Sequence, residues 1–186
     1  MKKGEINIMS IIYEEEIRKN TLKDIAAKMV AAARTAPKGR GKDNIVAAIV
    51  EGNTISEIAS KMIEMAKQGR AGDFFVRDAN NILQSEIVVL LGTRIKPLGL
   101  KYCGLCGFQK CSEKEKYPNV PCSFNTGDLG IAVGSAVSVA MDFRIDNRIM
   151  FSAGMAAKEM NLLGEDIGII YGIPLSCTSK NPFFDR

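Results

Sequence analysis

The sequence predicts an α/β fold in which one sheet is flanked by helices and interrupted by an inserted cysteine-rich loop. Amphipathic helical segments alternate with short apolar segments, no internal repeat is present, and four of the five cysteines fall in one glycine-rich stretch. A chain of 186 residues is long enough for one domain with its own hydrophobic core. We therefore expect a single domain over residues 1–186, in two or three layers, with the insertion at 101–122.

The first half of the chain predicts a helix, a strand and a second helix. Apolar residues recur at helical spacing over Thr21–Ala33. That helix is expected to end near Pro37, because a proline disfavours helical geometry in the residue before it. The apolar run Ile45–Val50 predicts a short buried strand, and a second amphipathic helix is expected over 54–67.

The second half continues the alternation on both sides of the cysteine-rich loop. A short helix around Arg77–Leu83 precedes Ile87–Leu91, whose continuous apolar run predicts a strand at the centre of the sheet. After the loop, Asp128–Met141 is apolar almost all round and predicts a helix buried on most sides. A helix over Ser152–Leu162 and a last strand over Ile167–Tyr171 complete the expected elements.

Composition narrows the possible functions. Histidine is absent, which excludes Ser-His and Cys-His catalytic pairs and any histidine-ligated metal. The net charge of +4 is small and is not concentrated in a basic run, so we expect no nucleic-acid partner. Without a secretory signal or an apolar run of membrane-spanning length, the expected location is the cytoplasm, with no membrane partner. Cysteines in that reducing compartment are expected to bind metal rather than form disulfides.

Four cysteines form the clearest candidate site, with the spacing Cys-x2-Cys-x4-Cys-x10-Cys. The first pair places two sulfurs on one tight turn, and Gly104 and Gly107 follow these cysteines where the loop must bend. The pattern favours an iron–sulfur cluster, with [4Fe–4S] expected. A structural zinc ion is the alternative, although zinc sites usually contain two short Cys-x2–4-Cys pairs. Cys177 stands apart and is expected to be a buried or free thiol. The proposed metal ligands are Cys103, Cys106, Cys111 and Cys122.

A second candidate site is the basic loop of residues 36–44, between the first helix and the first strand. Two glycines allow its backbone to approach a ligand closely, and its cations suit an anionic group. A solvated surface loop is the alternative interpretation. The cations in and beside this loop are Arg34, Lys38, Arg40 and Lys42.

The end of the chain carries two adjacent aromatic residues, Phe183 and Phe184. We expect them to pack on the body of the protein or on a partner subunit. Lys180 and Arg186 would then be able to reach an anionic ligand, although simple anchoring also explains the segment.

The chain resembles a prokaryotic family described as containing a ferredoxin domain. The resemblance is carried by the cysteine segment and by Gly127–Ala132, Gly172–Pro174 and Asn181–Arg186. The resemblance extends over nearly the whole chain. It implies an iron–sulfur cluster rather than zinc, but it implies no particular activity.

Ala32–Pro37, followed by the strand Ile45–Val50, is also similar to the FMN-dependent nitroreductases. Three features depart from that family. The early Arg-Ser-x-Arg phosphate motif is absent, Lys38 stands where a serine is usual, and Asn44 is followed by Ile45 rather than Gln-Pro-Trp. The resemblance implies a mixed sheet and a homodimer with FMN bound at the subunit interface. Its implied cofactor-binding residues are Arg34, Lys38, Gly39, Arg40 and Asn44.

These features favour an iron–sulfur redox protein, specifically an FMN-dependent oxidoreductase acting on an unidentified small molecule. One alternative is an electron-transfer or sensing protein whose cluster alone is active, and another is a structural zinc protein that acts by interaction. No paired carboxylates, nucleophile elbow or nicotinamide-binding glycine motif is present, so the catalytic residues are not identified. Lysines that would favour an acidic redox partner such as a ferredoxin are Lys101, Lys110, Lys114 and Lys116.

Overall fold

A four-stranded sheet lies between two layers of helices, so the α/β fold class is confirmed in its three-layer form. The computed structural model describes residues 11–184. No helix in that range is long and apolar enough to cross a membrane. The helices are α1 (Glu14–Thr35), α2 (Asn53–Lys67), α3 (Phe74–Ile82), α4 (Cys111–Lys114), α5 (Ser123–Asp142) and α6 (Phe151–Glu159). The strands are β1 (Ile45–Glu51), β2 (Ile87–Arg94), β3 (Asp146–Asn147) and β4 (Ile167–Ser176).

The strand order is β1-β2-β4-β3, and every pairing between these strands is antiparallel. The expectation of a mixed sheet was therefore wrong. The chain passes through two helices, α2 and α3, between β1 and β2, and this connection lets β2 run back along β1.

Strand β2 occupies the centre of the sheet, as its continuous apolar run predicts, and pairs with β1 and β4 on its two sides. Alternate residues of the strand point to opposite faces. Val89 and Leu91 pack under α1 and α5, whereas Val88 and Leu90 pack under α2, α3 and α6. Each face of β2 thus contributes to a separate hydrophobic core.

Several boundaries differ from the expected ones. Helix α1 begins seven residues before Thr21, at Glu14. The negative charges of three glutamates in its first turn interact favourably with the positive end of the helix dipole. Strand β4 continues past Tyr171 to Ser176. The segment 101–122, expected to lack regular structure, contains the single-turn helix α4. Helix α5 begins at Ser123, directly after the last of the four clustered cysteines.

The aromatic end of the chain packs on the body of the protein, as expected. Phe183 is buried in the core that α2, α3 and α6 share. The guanidinium of Arg148 donates a 2.8 Å hydrogen bond to the Phe183 carbonyl and lies 5.0 Å from the centre of the Phe184 ring. Asp185 and Arg186 lie outside the described residues, so the role expected for Arg186 stays a prediction.

Candidate metal centre and adjacent basic loop

The fold brings the four clustered cysteines to one small cavity of about 20 Å³. Cys103 and Cys106 lie on the loop that follows β2, Cys111 begins α4, and Cys122 directly precedes α5. All four are free thiols, and Cys122 is the most deeply buried of them. Between residues 11 and 184, no three Cys, Asp or Glu side chains are close enough together to hold a metal ion. The four cysteines thus line one cavity, although no three of them are close enough to share a metal ion in this structure.

The turn between the first two cysteines depends on two glycines. Gly104 has a φ of 83° and Gly107 a φ of 88°, both in the left-handed region that glycine adopts without strain. The Gly107 N–H donates a 3.0 Å hydrogen bond to the Gly104 carbonyl and closes the turn. Added methyl groups would meet open space or ordinary contacts at both positions, so backbone conformation sets the requirement here. The bend expected from the sequence is present.

The far side of the cavity is fixed by α4 and by the start of α5. Phe108 stacks on Tyr117 with ring centres 5.3 Å apart, across the ends of α4. The Gln109 N–H donates to the Glu113 carboxylate at 3.2 Å, which closes the turn before α4. Cys122 lies at the N-terminus of the 20-residue helix α5, where the helix dipole favours an anionic ligand such as a thiolate.

The lysines of the cysteine segment do not share one environment. Lys101, Lys110 and Lys116 are exposed, and they keep their expected place on the surface. Lys114 is only 2% exposed and lines the cysteine cavity. Its expected contribution to a surface for an acidic partner was therefore wrong, because the α4 turn directs it inward beside Cys111.

The basic loop lies directly against the cysteine cavity. Residues 39–41 form a 3₁₀ turn in which Arg40 has a φ of 55°. The Arg40 guanidinium donates a 3.1 Å hydrogen bond to the Leu98 carbonyl, and Lys42 Nζ reaches the same oxygen at 3.4 Å. Leu98 lines the cavity, and Gly39 packs so closely on Leu98 and Phe124 that a side chain would collide with both. The two candidate sites predicted from the sequence are thus adjacent.

Two of the predicted cofactor-binding cations make internal contacts. Arg34 pairs with the Asp43 carboxylate and donates a 3.1 Å hydrogen bond to the Ile45 carbonyl. Lys38 Nζ donates to the Ala33 carbonyl at 2.8 Å and to the Arg34 carbonyl, at the C-terminus of α1.

The Asp43 carboxylate lies close to both Arg34 and Lys38. Partial burial raises its pKa, but hydrogen bonds from Arg34 and the Ile45 N–H, with the charges of Arg34 and Lys38, together hold that pKa below its ordinary value. Asn44, the last predicted contact, directly precedes β1, and its carbonyl accepts a 3.0 Å hydrogen bond from the Arg94 N–H.

Two buried polar residues of α5 connect these segments and were not predicted as site residues. Asn125 accepts a 2.8 Å hydrogen bond from the Lys96 N–H, and Asp128 accepts one of 3.0 Å from the Gly39 N–H. The amide nitrogen of Asn125 and the second carboxylate oxygen of Asp128 have no partner in the described part of the chain. Their spacing of three residues, on one face of a mostly apolar helix, is the sequence feature that could have identified them as site residues. Buried polar atoms without partners are uncommon and mark this region as a candidate ligand contact.

The cysteine cavity suits a thiolate-ligated metal centre by the chemistry of its donors. An iron–sulfur cluster is held by four cysteine thiolates, and zinc accepts the same set. The described residues place four free thiols along one cavity, and two left-handed glycines form the turn that carries the first pair.

Comparison with known proteins identifies relatives in sequence and in structure. An uncharacterized protein of Archaeoglobus fulgidus is 38% identical over 184 residues, which cover 95% of this chain and 97% of that protein. A nitroreductase family protein from Clostridium novyi NT superposes with a TM-score of 0.60 at 15% identity, covering 95% of this chain and 79% of that one. A nitroreductase with bound FMN from Desulfitobacterium hafniense DCB-2 gives a TM-score of 0.54 at 16% identity, covering 95% and 85%.

The structural similarities establish a nitroreductase-like fold. They establish nothing beyond the fold, because the sequence identities are low. The family described as "Uncharacterized protein containing a ferredoxin domain" matches residues 119–186, which begin just before Cys122. Together with the Archaeoglobus relative, which matches along almost the entire chain, this result shows that the protein belongs to that ferredoxin-domain family.

Proposed function

We propose that this protein is an iron–sulfur redox protein that binds a [4Fe–4S] cluster through Cys103, Cys106, Cys111 and Cys122. The observation that carries the proposal is that the loop after β2, the helix α4 and the residue before α5 bring these four cysteines to the wall of one cavity. Membership of a ferredoxin-domain family supports iron and sulfide over zinc. Zinc held by the same thiolates remains the competing occupant, and chemical analysis separates the two.

We extend the proposal to an FMN-dependent oxidoreductase that acts on a small molecule. When bound, the cluster supplies one-electron transfer and the flavin supplies two-electron chemistry. Gly39 and Arg40 support a flavin site beside the cavity, because both contact elements that line it. The unpartnered polar atoms of Asn125 and Asp128 offer a donor and an acceptor in the same region. The nitroreductase-like fold, shared with a protein that holds FMN, supports this extension.

A second candidate function is electron transfer or sensing by the cluster alone. The internal contacts of Arg34 and Lys38 favour it, because they engage two cations otherwise available to a flavin phosphate. The cysteine loop also exposes Tyr102 and Leu105, which are 94% and 69% exposed, near the surface lysines. Such a surface suits docking of an acidic redox protein such as a ferredoxin.

The proposed functional unit is a homodimer formed through α5. Gly127, Gly130 and Gly134 lie on its exposed side with open space where side chains would project. Ile131 and Met141 on the same helix are 47% and 63% exposed. Small residues flanked by exposed apolar ones permit close approach of a second copy.

The test is anaerobic purification followed by a visible spectrum, with iron, sulfide, zinc and flavin measured on the same sample. A broad absorbance near ~400 nm with about four irons and four sulfides per chain would establish the cluster. Additional flavin bands with stoichiometric FMN would support the oxidoreductase, and a cluster without flavin would support the electron-transfer alternative. A colourless protein with one zinc per chain would overturn both redox proposals.

A further inference from the structure

Lys114 is the most unusual charged side chain of the cysteine cavity. It is 2% exposed and belongs to the largest fully buried side chains of the protein. Lys38, also well buried, donates to two main-chain carbonyls and lies 3.9 Å from Asp43. No hydrogen bond or ion pair of the Lys114 ammonium is found within the described part of the chain. A lysine side chain with this little exposure and no counter-charge is unusual, so its position requires an explanation.

The contents of the cavity provide that counter-charge. Lys114 lines the same cavity as the four cysteines and lies one helical turn from Cys111 on α4. Four thiolates carry more negative charge than an iron–sulfur core neutralises, so the filled site is an anion, partly enclosed by apolar side chains such as Leu98 and Phe124. Charge interactions in a partly enclosed site are stronger than between fully solvated groups. Nearby charge is one of the principal determinants of the reduction potential of a cluster.

We propose that Lys114 is the charge-compensating residue of this site: its ammonium stabilises the thiolate-bound cluster and raises its reduction potential. The inference rests on the proposed function and adds a residue to it. Reduction adds one negative charge to the cluster, so a fixed neighbouring cation stabilises the reduced form more than the oxidised form. Lys114 thereby favours electron acceptance by the cluster, and without the cluster the same lysine destabilises the fold.

The test compares Lys114→Met with wild type, with Lys114→Arg and with Lys116→Met. Methionine approximates the length of the lysine stem without its charge, arginine keeps the charge, and Lys116 is an exposed lysine of the same segment. Iron and sulfide are quantified first in wild type, and the midpoint potential is then measured by redox titration. In Lys114→Met we expect the reduced-to-oxidised ratio at a fixed applied potential to fall about tenfold, equivalent to about −59 mV for a one-electron couple. Lys114→Arg and Lys116→Met should stay near wild type.

A second measurement separates charge compensation from a loss of packing. After removal of the cluster with a chelator, Lys114→Met should melt at or above the temperature of wild type, because an uncompensated buried charge is gone. With the cluster present it should melt lower and lose iron to the chelator faster. Failure of this variant to load, despite a stable cluster-free fold, would also support the proposal.

Two outcomes would overturn the inference, and they differ in what else they affect. A loaded Lys114→Met protein with the wild-type potential and chelator sensitivity would remove the role of Lys114 and leave the cluster proposal intact. Wild-type protein that takes up no iron or sulfide would overturn the proposed function, and this inference with it.

Discussion

Arg40 donates a 3.1 Å hydrogen bond to the main-chain carbonyl of Leu98, 58 residues further along the chain. This contact joins the basic loop before β1 to the wall of the cysteine cavity after β2. Arg40 makes it from a left-handed backbone conformation with a φ of 55°. Such a conformation costs a non-glycine residue about 1–2 kcal/mol. The side-chain contact offsets that cost, so the geometry of the loop depends on the cavity wall.

Substitutions at Arg40 should separate the strain from the contact. Arg40→Ala loses the hydrogen bond and keeps the strained backbone, whereas Arg40→Gly loses the hydrogen bond and relieves the strain. We expect the glycine variant to be the more stable of the two by about 1 kcal/mol in urea unfolding. Both should retain bound iron and bind added FMN more weakly than wild type. Equal stabilities would mean that the loop does not keep this conformation in solution.

The two glycines of the cysteine turn should be sensitive to alanine because of their backbone conformation. Gly104→Ala and Gly107→Ala force a side chain into the left-handed region, at a cost of about 1–2 kcal/mol, and should lower iron content. Ser60→Ala is the control, because it places alanine at an exposed position of α2 with ordinary helical backbone and should change stability by only a few tenths of a kcal/mol. Urea unfolding and iron analysis on the same preparations test both expectations. Unchanged stability and iron in the turn variants would contradict the proposed conformation of the turn.

Replacement of single cysteines should distinguish ligands from the remaining thiol. Serine at Cys103, Cys106, Cys111 or Cys122 should remove most of the iron and sulfide and the absorbance near ~400 nm, because each removes one of four thiolate ligands. Cys177→Ser is the control, since Cys177 packs against the core under α1 and α5, away from the cavity. It should keep the wild-type spectrum. If only Cys177→Ser lost the cluster, the proposed set of four ligands would be wrong.

Asp43 should make the free energy of unfolding depend on pH in the acidic range. Its pKa is lower in the folded protein than the unfolded value of about 3.9. Ionised Asp43 therefore stabilises the fold above that unfolded pKa, and the contribution is lost as the pH falls through the folded pKa.

We expect Asp43→Asn to lower the free energy of unfolding by about 1 kcal/mol at neutral pH, because Arg34 loses a charged hydrogen-bond partner. The difference from wild type should shrink as the pH falls below about 4. Asp24→Asn, at an exposed position of α1, controls for general charge effects. A difference that stays constant between neutral pH and pH 3 would contradict this assignment.

Sequence patterns predicted the elements with strong periodicity and missed those that depend on distant contacts. The apolar run of β2 identified the central strand because both of its faces are buried. Two-residue β3 has no pattern of its own and exists only because it pairs with Ser176 and Leu175 of β4. The burial of Lys114 was equally unpredictable, since a lysine in a polar segment resembles its exposed neighbours until α4 turns it inward. Cysteine spacing was informative because it reflects local loop geometry, whereas the Arg34–Asp43 pair requires the loop to fold first.

The exposed side of α5 should determine the oligomeric state. If a second copy packs there, Gly130→Arg or Ile131→Glu should convert a dimer into a monomer in light scattering, because a large or charged group would replace small and apolar surface. Val76→Glu on α3 is the control, since Val76 is similarly apolar and 37% exposed on the opposite side of the sheet. It should leave the mass unchanged.

Bound FMN should be lost with the dimer if the flavin lies at the interface. Iron should stay with each chain, because all four cysteines belong to one cavity of one subunit. A wild-type monomer that binds FMN would contradict the interface proposal and place the flavin site within a single chain.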